Sequence, residues 1–162
     1  MTATRSSPGD DTAFFGHPTG LSTLFYTEMW ERMSYYGMRA LLVLYMTLSI
    51  QEGGLGITVA SATAIYGLYT GAVYFMGLPG GWIADRMIGS QNAIWYGGII
   101  IMCGHLLLAI PHDSTFFTGL IFVVAGTGLL KPNIGALVGQ LYQTGDERRD
   151  SGYTLYYMGI NI

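Results

Sequence analysis

Four charged residues interrupt an otherwise apolar stretch near the start of the chain: Glu28, Glu31, Arg32 and Arg39. At a helical period of about 100° per residue, these side chains and that of Tyr35 fall on one face. A charge inside a membrane costs about 2.5–3.5 kcal/mol on insertion scales, and such charges are typical of proton relays and polar cavities. The pattern therefore predicts a functional polar face on a membrane helix. The alternative is a salt-bridge cluster that only joins helices, but Arg39 and the tyrosines extend the face by two further turns.

Another charged residue, Lys131, stands alone in the apolar segment GTGLLKPNIG. Gly126 and Gly128 allow another helix or a ligand to approach closely, and Pro132 deprives a backbone carbonyl of its helical partner. We interpret Lys131 as a cavity residue, because it lies well inside the apolar segment. The alternative is a lysine that extends along the helix to the membrane surface.

The composition points to a membrane protein. Of 162 residues, 51% are hydrophobic and only 10% are charged, whereas soluble domains carry about 25% charged residues. The net charge of −3 excludes a basic nucleic-acid-binding protein and predicts no nucleic-acid partner. Cys103 and His105 have no second residue at the spacing of metal ligands, so no metal site is predicted. The membrane-hydrolase motifs HExxH and GxSxG do not occur in the sequence.

Apolar segments of membrane-spanning length follow one another with short polar breaks. The chain is predicted to have a flexible cytoplasmic tail over residues 1–20 and apolar segments near 21–50, 58–83, 93–111, 115–142 and 152–162. A spanning helix needs about 20 residues, so the fifth segment is only the start of one. The runs do not alternate as barrel strands do. The predicted fold class is an all-α membrane protein with four transmembrane helices and the start of a fifth, in an amino-terminal part of a longer protein.

Basic residues in the breaks predict the orientation. The tail contains Arg5, the second break contains Arg86, and the fourth contains Arg148 and Arg149, whereas the first and third breaks contain no lysine or arginine. Short loops rich in lysine and arginine face the cytoplasm. We therefore expect a multi-pass protein of the cytoplasmic membrane, surrounded by the lipid bilayer, with its amino terminus inside.

Four blocks of the sequence occur in the order of known motifs. Residues 28–37, EMWERMSYYG, resemble the ExxERFxYYG motif of the proton-dependent oligopeptide transporters, a family of the major facilitator superfamily. Residues 80–89, GGWIADRMIG, resemble the superfamily's loop between helices two and three. Residues 126–133, GTGLLKPN, and 153–161, YTLYYMGIN, resemble the helix-four and helix-five blocks of the peptide transporters. Met33 replaces the usual phenylalanine of the first motif.

The resemblance implies a function and a role for each matching residue. The implied function is symport of di- and tripeptides with protons by alternating access, with protons as the coupling ion and no other cofactor. Proton coupling would involve Glu28, Glu31, Arg32 and Lys131. The peptide site would be lined by Tyr35, Tyr36, Arg39, Tyr74, Lys131 and Asn161. The cytoplasmic gate would contain Asp85 and Arg86. Because the superfamily builds its site between two six-helix halves, the missing carboxyl-terminal half is an implied partner.

Two other classes of function remain as alternatives. Glu28 and Glu31 could act as the paired acid and base of a membrane enzyme. The chain could also be a helical fragment or assembly subunit that transports nothing itself.

Overall fold

The computed structural model describes residues 11–161, and within this range the chain forms five α-helices. These are α1 Thr19–Thr47, α2 Val59–Ile83, α3 Ser90–Leu108, α4 Asp113–Gln140 and α5 Arg148–Asn161. Residues 1–10 of the predicted tail, including Arg5, lie outside the described part. The chain divides into two compact units. Among the described residues, one unit combines 11–35 with 134–161, and the other is Tyr36–Asn133.

Three stretches of the described residues are long and apolar enough to cross a membrane: Val59–Ile88, Ser90–Leu108 and Asp113–Gln140. Helix α1 has 29 residues, which is also sufficient length, but four charged residues interrupt its apolar sequence. The hydropathy of α1 alone does not identify it as a membrane span. Its assignment as the fourth span rests on its length and on the prediction that its charges share one helix face.

The connection between α1 and α2 is a compact, hydrogen-bonded turn. A short 3₁₀ helix, Ile50–Glu52, ends at Gly53, whose φ of 84° belongs to the left-handed region that glycine adopts without strain. The amides of Gly56 and Ile57 then donate to the carbonyls of Leu48 and Met46, at 2.8 Å each. Thr58 caps α2 by accepting a hydrogen bond from the amide of Ser61 at 3.3 Å. These bonds fix the register between the end of α1 and the start of α2.

Helix α2 ends in a wider turn. Five residues, Ala84–Ile88, form a π-helical turn that the amide of Gly89 closes by donating to the carbonyl of Ala84 at 2.8 Å. Such turns occur frequently at functional sites. The φ of 79° at Gly89 then redirects the chain, so α3 begins at Ser90, three residues before the predicted start.

Glycines bring α3 and α4 into close contact. A Cβ added to Gly97 would lie 2.8 Å from the carbonyl oxygen of Gly126, and one added to Gly126 would lie 2.7 Å from that of Gly97. Gly104 and Gly119 repeat the same reciprocal contact two turns along. Small residues at such spacing let two membrane helices approach closely and pack through their backbones.

In the unit that combines residues 11–35 with 134–161, the residues before α1 form a hydrogen bond with the connection between α4 and α5. The amide and hydroxyl of Thr19 donate to the carboxylate of Asp11 at 2.8 and 2.9 Å, which caps the start of α1. His17 is buried, and its Nδ1 lies 2.9 Å from the hydroxyl of Tyr142. Residues 11–18, which the sequence assigned to a flexible tail, are thus tied to the fold by specific hydrogen bonds.

Candidate functional site

The charged residues of the first half of α1 form a buried cluster. The exposed fractions of Glu28, Glu31 and Arg32 are 0%, 8% and 6%. Arg32 donates to Glu31 from Nε at 2.5 Å and from Nη2 at 2.6 Å, and its Nε lies 3.5 Å from Glu28. Two carboxylates therefore share one guanidinium. A buried ion pair of this kind is costly to desolvate, so its good geometry is needed to keep the charges inside the protein.

Two tyrosines complete this cluster. Tyr35 is 6% exposed, and its ring lies under the guanidinium of Arg32 with 4.8 Å between Cζ and the ring centroid. Tyr156 of α5 is 5% exposed, and its hydroxyl interacts with the carboxylate of Glu28. Sequence reasoning did not assign a role to Tyr156. The only signal was its position inside the helix-five block, because the contact joins residues 128 positions apart.

Arg39 belongs to the unit Tyr36–Asn133, whereas Glu28, Glu31 and Arg32 belong to the other unit. Its side chain is exposed, and its Cζ lies 5.2 Å from the centroid of the Tyr66 ring of α2. A guanidinium over an aromatic face at this distance is a cation–π contact. The sequence pattern assigns no site role to Tyr66, because nothing local shows that α2 aligns it with Arg39.

The remaining residues predicted to bind substrate differ in exposure. Tyr36 and Tyr74 are 53% and 69% exposed. Lys131 is half-buried on α4. Asn161 is exposed, and its side-chain amide donates to the carbonyl of Tyr157 on its own helix at 2.8 Å. In this structure the amide of Asn161 therefore bonds to α5 itself.

The predicted gate residues lie on the π-helical turn after α2. Both Asp85 and Arg86 are exposed, and neither makes an ion pair with another residue of the described range. The turn itself, rather than a charge contact, sets their position. Within residues 11–161, no three His, Cys, Asp or Glu side chains are grouped so that they could hold a metal ion.

Comparison with known proteins points to one family. The model of the POT family matches residues 91–162. The "Peptide transporter YePEPT" of Yersinia enterocolitica is 49% identical over 165 residues, which cover all of this chain and 32% of that protein. The "Di-/tripeptide transporter" of Lactococcus lactis is 49% identical over 152 residues, which cover 92% of this chain and 31% of that protein. Residues 91–162 match this family, and the whole chain is similar to these peptide transporters.

Solved structures of POT proteins share the fold. A crystal structure of a peptide transporter POT matches 93% of this chain at 53% identity with a TM-score of 0.91, and the match covers 31% of that protein. A POT family transporter in complex with 5-aminolevulinic acid matches the same share at 44% identity with a TM-score of 0.90, again over 31% of its length. This chain is therefore a multi-pass helical membrane protein. It spans about a third of the length of the curated relatives it matches.

Proposed function

We propose that this chain is the amino-terminal part of a proton-coupled symporter for di- and tripeptides that works by alternating access. The observation that carries the proposal is the buried cluster of Glu28, Glu31 and Arg32. A transporter that only binds peptide needs no buried carboxylates in this number, whereas a proton relay does. The names of the Yersinia and Lactococcus relatives support peptides as the substrate class.

The cluster can couple protonation to a change of contacts. Arg32 now holds Glu31 with two hydrogen bonds and lies farther from Glu28. A proton on Glu31 would remove its charge and leave Glu28 as the charged partner, so the guanidinium would shift. The two arrangements form a two-state element whose balance depends on pH, as coupling requires. Lys131 is assigned to the same coupling network.

Fixed charges and exposed aromatic rings suit a zwitterionic peptide. We assign the peptide carboxylate to Arg39 and Lys131, because a guanidinium or an ammonium forms strong charge-assisted hydrogen bonds with a carboxylate. Aromatic walls accept varied side chains. We assign these walls and the remaining polar contacts to Tyr35, Tyr36, Tyr74 and Asn161.

The proposal includes a location and a gate. Arg86, Arg148 and Arg149 all belong to breaks on one side of the predicted membrane, so we place that side and the amino terminus in the cytoplasm. Asp85 and Arg86, on their π-helical turn, are then positioned at the cytoplasmic end of α2, where we assign them to the gate.

Transport in liposomes tests the function directly. The complete transporter that contains this chain, purified and reconstituted, should accumulate a radiolabelled dipeptide when the outside is made more acidic than the lumen. Addition of a protonophore should abolish the accumulation. Peptide that enters equally with and without the pH gradient would refute proton coupling, and hydrolysis of the dipeptide by the purified protein would favour the enzyme alternative.

A further inference from the structure

We propose that Tyr66 is a positioning residue of the peptide site: its ring holds the Arg39 guanidinium in the orientation that binds a carboxylate. This inference rests on the proposed function, since it deepens the role given to Arg39. The central observation is the distance of 5.2 Å from the Cζ of Arg39 to the centroid of the Tyr66 ring. Among residues 11–161, Arg39 makes neither a hydrogen bond nor an ion pair. The ring is thus its one specific contact within the described chain.

The contact leaves the binding edge of the guanidinium available. The five N–H donors of arginine lie in the plane of the guanidinium, whereas the contact with an aromatic ring uses its face. An exposed arginine without such support samples many rotamers, and a ligand must order it on binding. A ring that holds the group beforehand removes part of that cost, and affinity increases as a result.

Tyr66 itself is well fixed. It lies two turns into α2, whose start is capped by Thr58 and whose register with α1 is set by the hydrogen bond from Ile57 to Met46. The hydroxyl oxygen of Tyr66 is buried and has no hydrogen-bond partner in the described part of the chain. Buried tyrosine hydroxyls are usually paired. The backbone of α2 therefore fixes the position of Tyr66, and its hydroxyl does not. The ring is the part of the side chain that makes a specific contact.

The ligand class follows from the geometry of the guanidinium. A carboxylate accepts two parallel hydrogen bonds from one edge of an arginine guanidinium. Both bonds form only when the guanidinium plane is correctly oriented toward the carboxylate. A peptide whose carboxyl terminus is amidated lacks this acceptor pair. Tyr66 should therefore favour peptides with a free carboxyl terminus over their amides.

A mutant cycle with Arg39 tests this inference in the complete transporter. We expect Tyr66→Leu to raise the KM for a dipeptide about tenfold and to leave the maximal rate nearly unchanged, a loss that corresponds to 1.4 kcal/mol. The preference for the free carboxylate over the amide should fall by a similar factor. Tyr66→Phe keeps an aromatic ring, and Tyr66→Trp introduces a ring that attracts cations more strongly. Both variants should therefore keep the KM of the parent protein.

Because Tyr66 is inferred to act through Arg39, the two substitutions should not add. Arg39→Ala combined with Tyr66→Leu should have the same KM as Arg39→Ala alone. Tyr45→Leu is the matched control, since it removes another α1 ring contact, the one with Phe116 at 5.3 Å between centroids, and should leave KM unchanged. If Tyr66→Leu fails to reach the membrane, Tyr66→Met, whose flexible side chain fills irregular gaps, replaces it in the cycle.

Failure of this inference is separable from failure of the proposed function. If the parent protein accumulates no peptide, the proposed function is wrong. If the parent accumulates peptide and Tyr66→Leu keeps its KM, the positioning role is wrong. The same conclusion follows if Tyr66→Phe is as impaired as Tyr66→Leu, if the two substitutions add, or if Tyr45→Leu raises KM equally.

Discussion

Arg32 holds its immediate neighbour in the sequence, Glu31, with two hydrogen bonds of 2.5 and 2.6 Å. Glu28, one helical turn earlier and normally the better placed partner, lies 3.5 Å away. Adjacent residues of a helix point about 100° apart, so both side chains must bend toward each other to make this contact. The structure thereby distinguishes two carboxylates that the sequence pattern treats alike. Glu31 is the principal partner of Arg32. Glu28 interacts both with Arg32 and with the hydroxyl of Tyr156.

This distinction predicts different behaviour for the two glutamines. In the complete transporter, Glu31→Gln and Glu28→Gln should each reduce uptake driven by a pH gradient at least about tenfold, because an amide cannot cycle a proton. Exchange of labelled for unlabelled peptide needs no net proton movement. It should survive in Glu28→Gln, where the Arg32–Glu31 pair stays intact. Gradient-driven uptake and counterflow in the same liposomes measure both quantities.

The control for these substitutions is Glu147→Gln, which changes an exposed glutamate in the connection between α4 and α5. It should leave both uptake and counterflow unchanged. Normal concentrative uptake by both cluster variants would show that the carboxylates are structural and that their assignment to proton coupling is wrong.

Much of the cluster follows from helical periodicity alone. That period places Glu28, Glu31, Arg32 and Tyr35 on one face, and the structure buries all four. The contribution of Tyr156 could not be predicted, because it depends on the packing of α5 against α1. A local pattern carries no information about contacts between residues so distant in the sequence. The long apolar helices and their order were predictable, because length and hydropathy determine them.

The pairing of Arg39 with Tyr66 shows the other limit of the sequence. The helical period places Arg39 on the same face as Glu28, but the structure leaves Arg39 exposed and directs it to a ring of α2. That alignment depends on the hydrogen-bonded turn between α1 and α2, whose register a hydropathy pattern does not specify.

The role of Lys131 stays a prediction. Lys131 is predicted to be essential for coupled transport. In the complete transporter, Lys131→Ala should reduce proton-driven uptake at least about tenfold, since a half-buried cation in the middle of α4 would be lost. Membrane insertion should be unimpaired, because removal of an intramembrane charge makes insertion easier. Uptake in liposomes and the amount of protein in the membrane separate these effects. Unchanged uptake would show that Lys131 only extends to the membrane surface.

The orientation predicts which connections react with reagents added outside the cell. In a Cys103→Ala background, a cysteine at exposed Gln51 or Ser114 should react with a membrane-impermeant maleimide, and one at exposed Gln91 should not. Gln51 is preferable to neighbouring Gly53, whose φ of 84° would strain a cysteine. Labelling at Gln91 of intact cells would overturn the orientation, and labelling at Gln91 in opened cells is the control for its reactivity.

The contact between α2 and α4 predicts a severe effect at one glycine. A Cβ at Gly80 would overlap the carbonyl group of Gly128, which belongs to helix backbone and cannot move aside cheaply. Gly80→Ala should therefore destabilise the fold by about 1–3 kcal/mol, as overpacked cores do. Gly71→Ala on the same helix meets no atom within 4 Å and should be neutral or slightly stabilising. Thermal unfolding in detergent compares the two, and equal melting temperatures would contradict the predicted close approach of the helices.

The connection between α4 and α5 predicts a dependence of stability on acid pH. The carboxylate of Asp146 accepts hydrogen bonds from the Arg148 side chain, at 2.8 Å from Nη2 and 3.1 Å from Nε, and from its backbone amide at 3.0 Å. These bonds, led by those of the side chain, hold the pKa of Asp146 below its ordinary value of 3.8. The unfolded chain therefore binds this proton more readily than the folded protein. The stabilisation is fully present above pH 3.8 and is lost as the pH falls through the lower folded pKa.

Asp146→Asn should accordingly lower the melting temperature by a few degrees at pH 7, because the charge-assisted bonds to Arg148 are weakened. The difference from the parent protein should shrink as the pH falls below 3.8, because the parent carboxylate then also becomes protonated. Glu147→Gln, at an exposed neighbour in the same connection, should change neither quantity. Melting curves in detergent at a series of pH values measure the effect. A difference that stays constant down to the lowest pH would mean that the charge of Asp146 does not stabilise this connection.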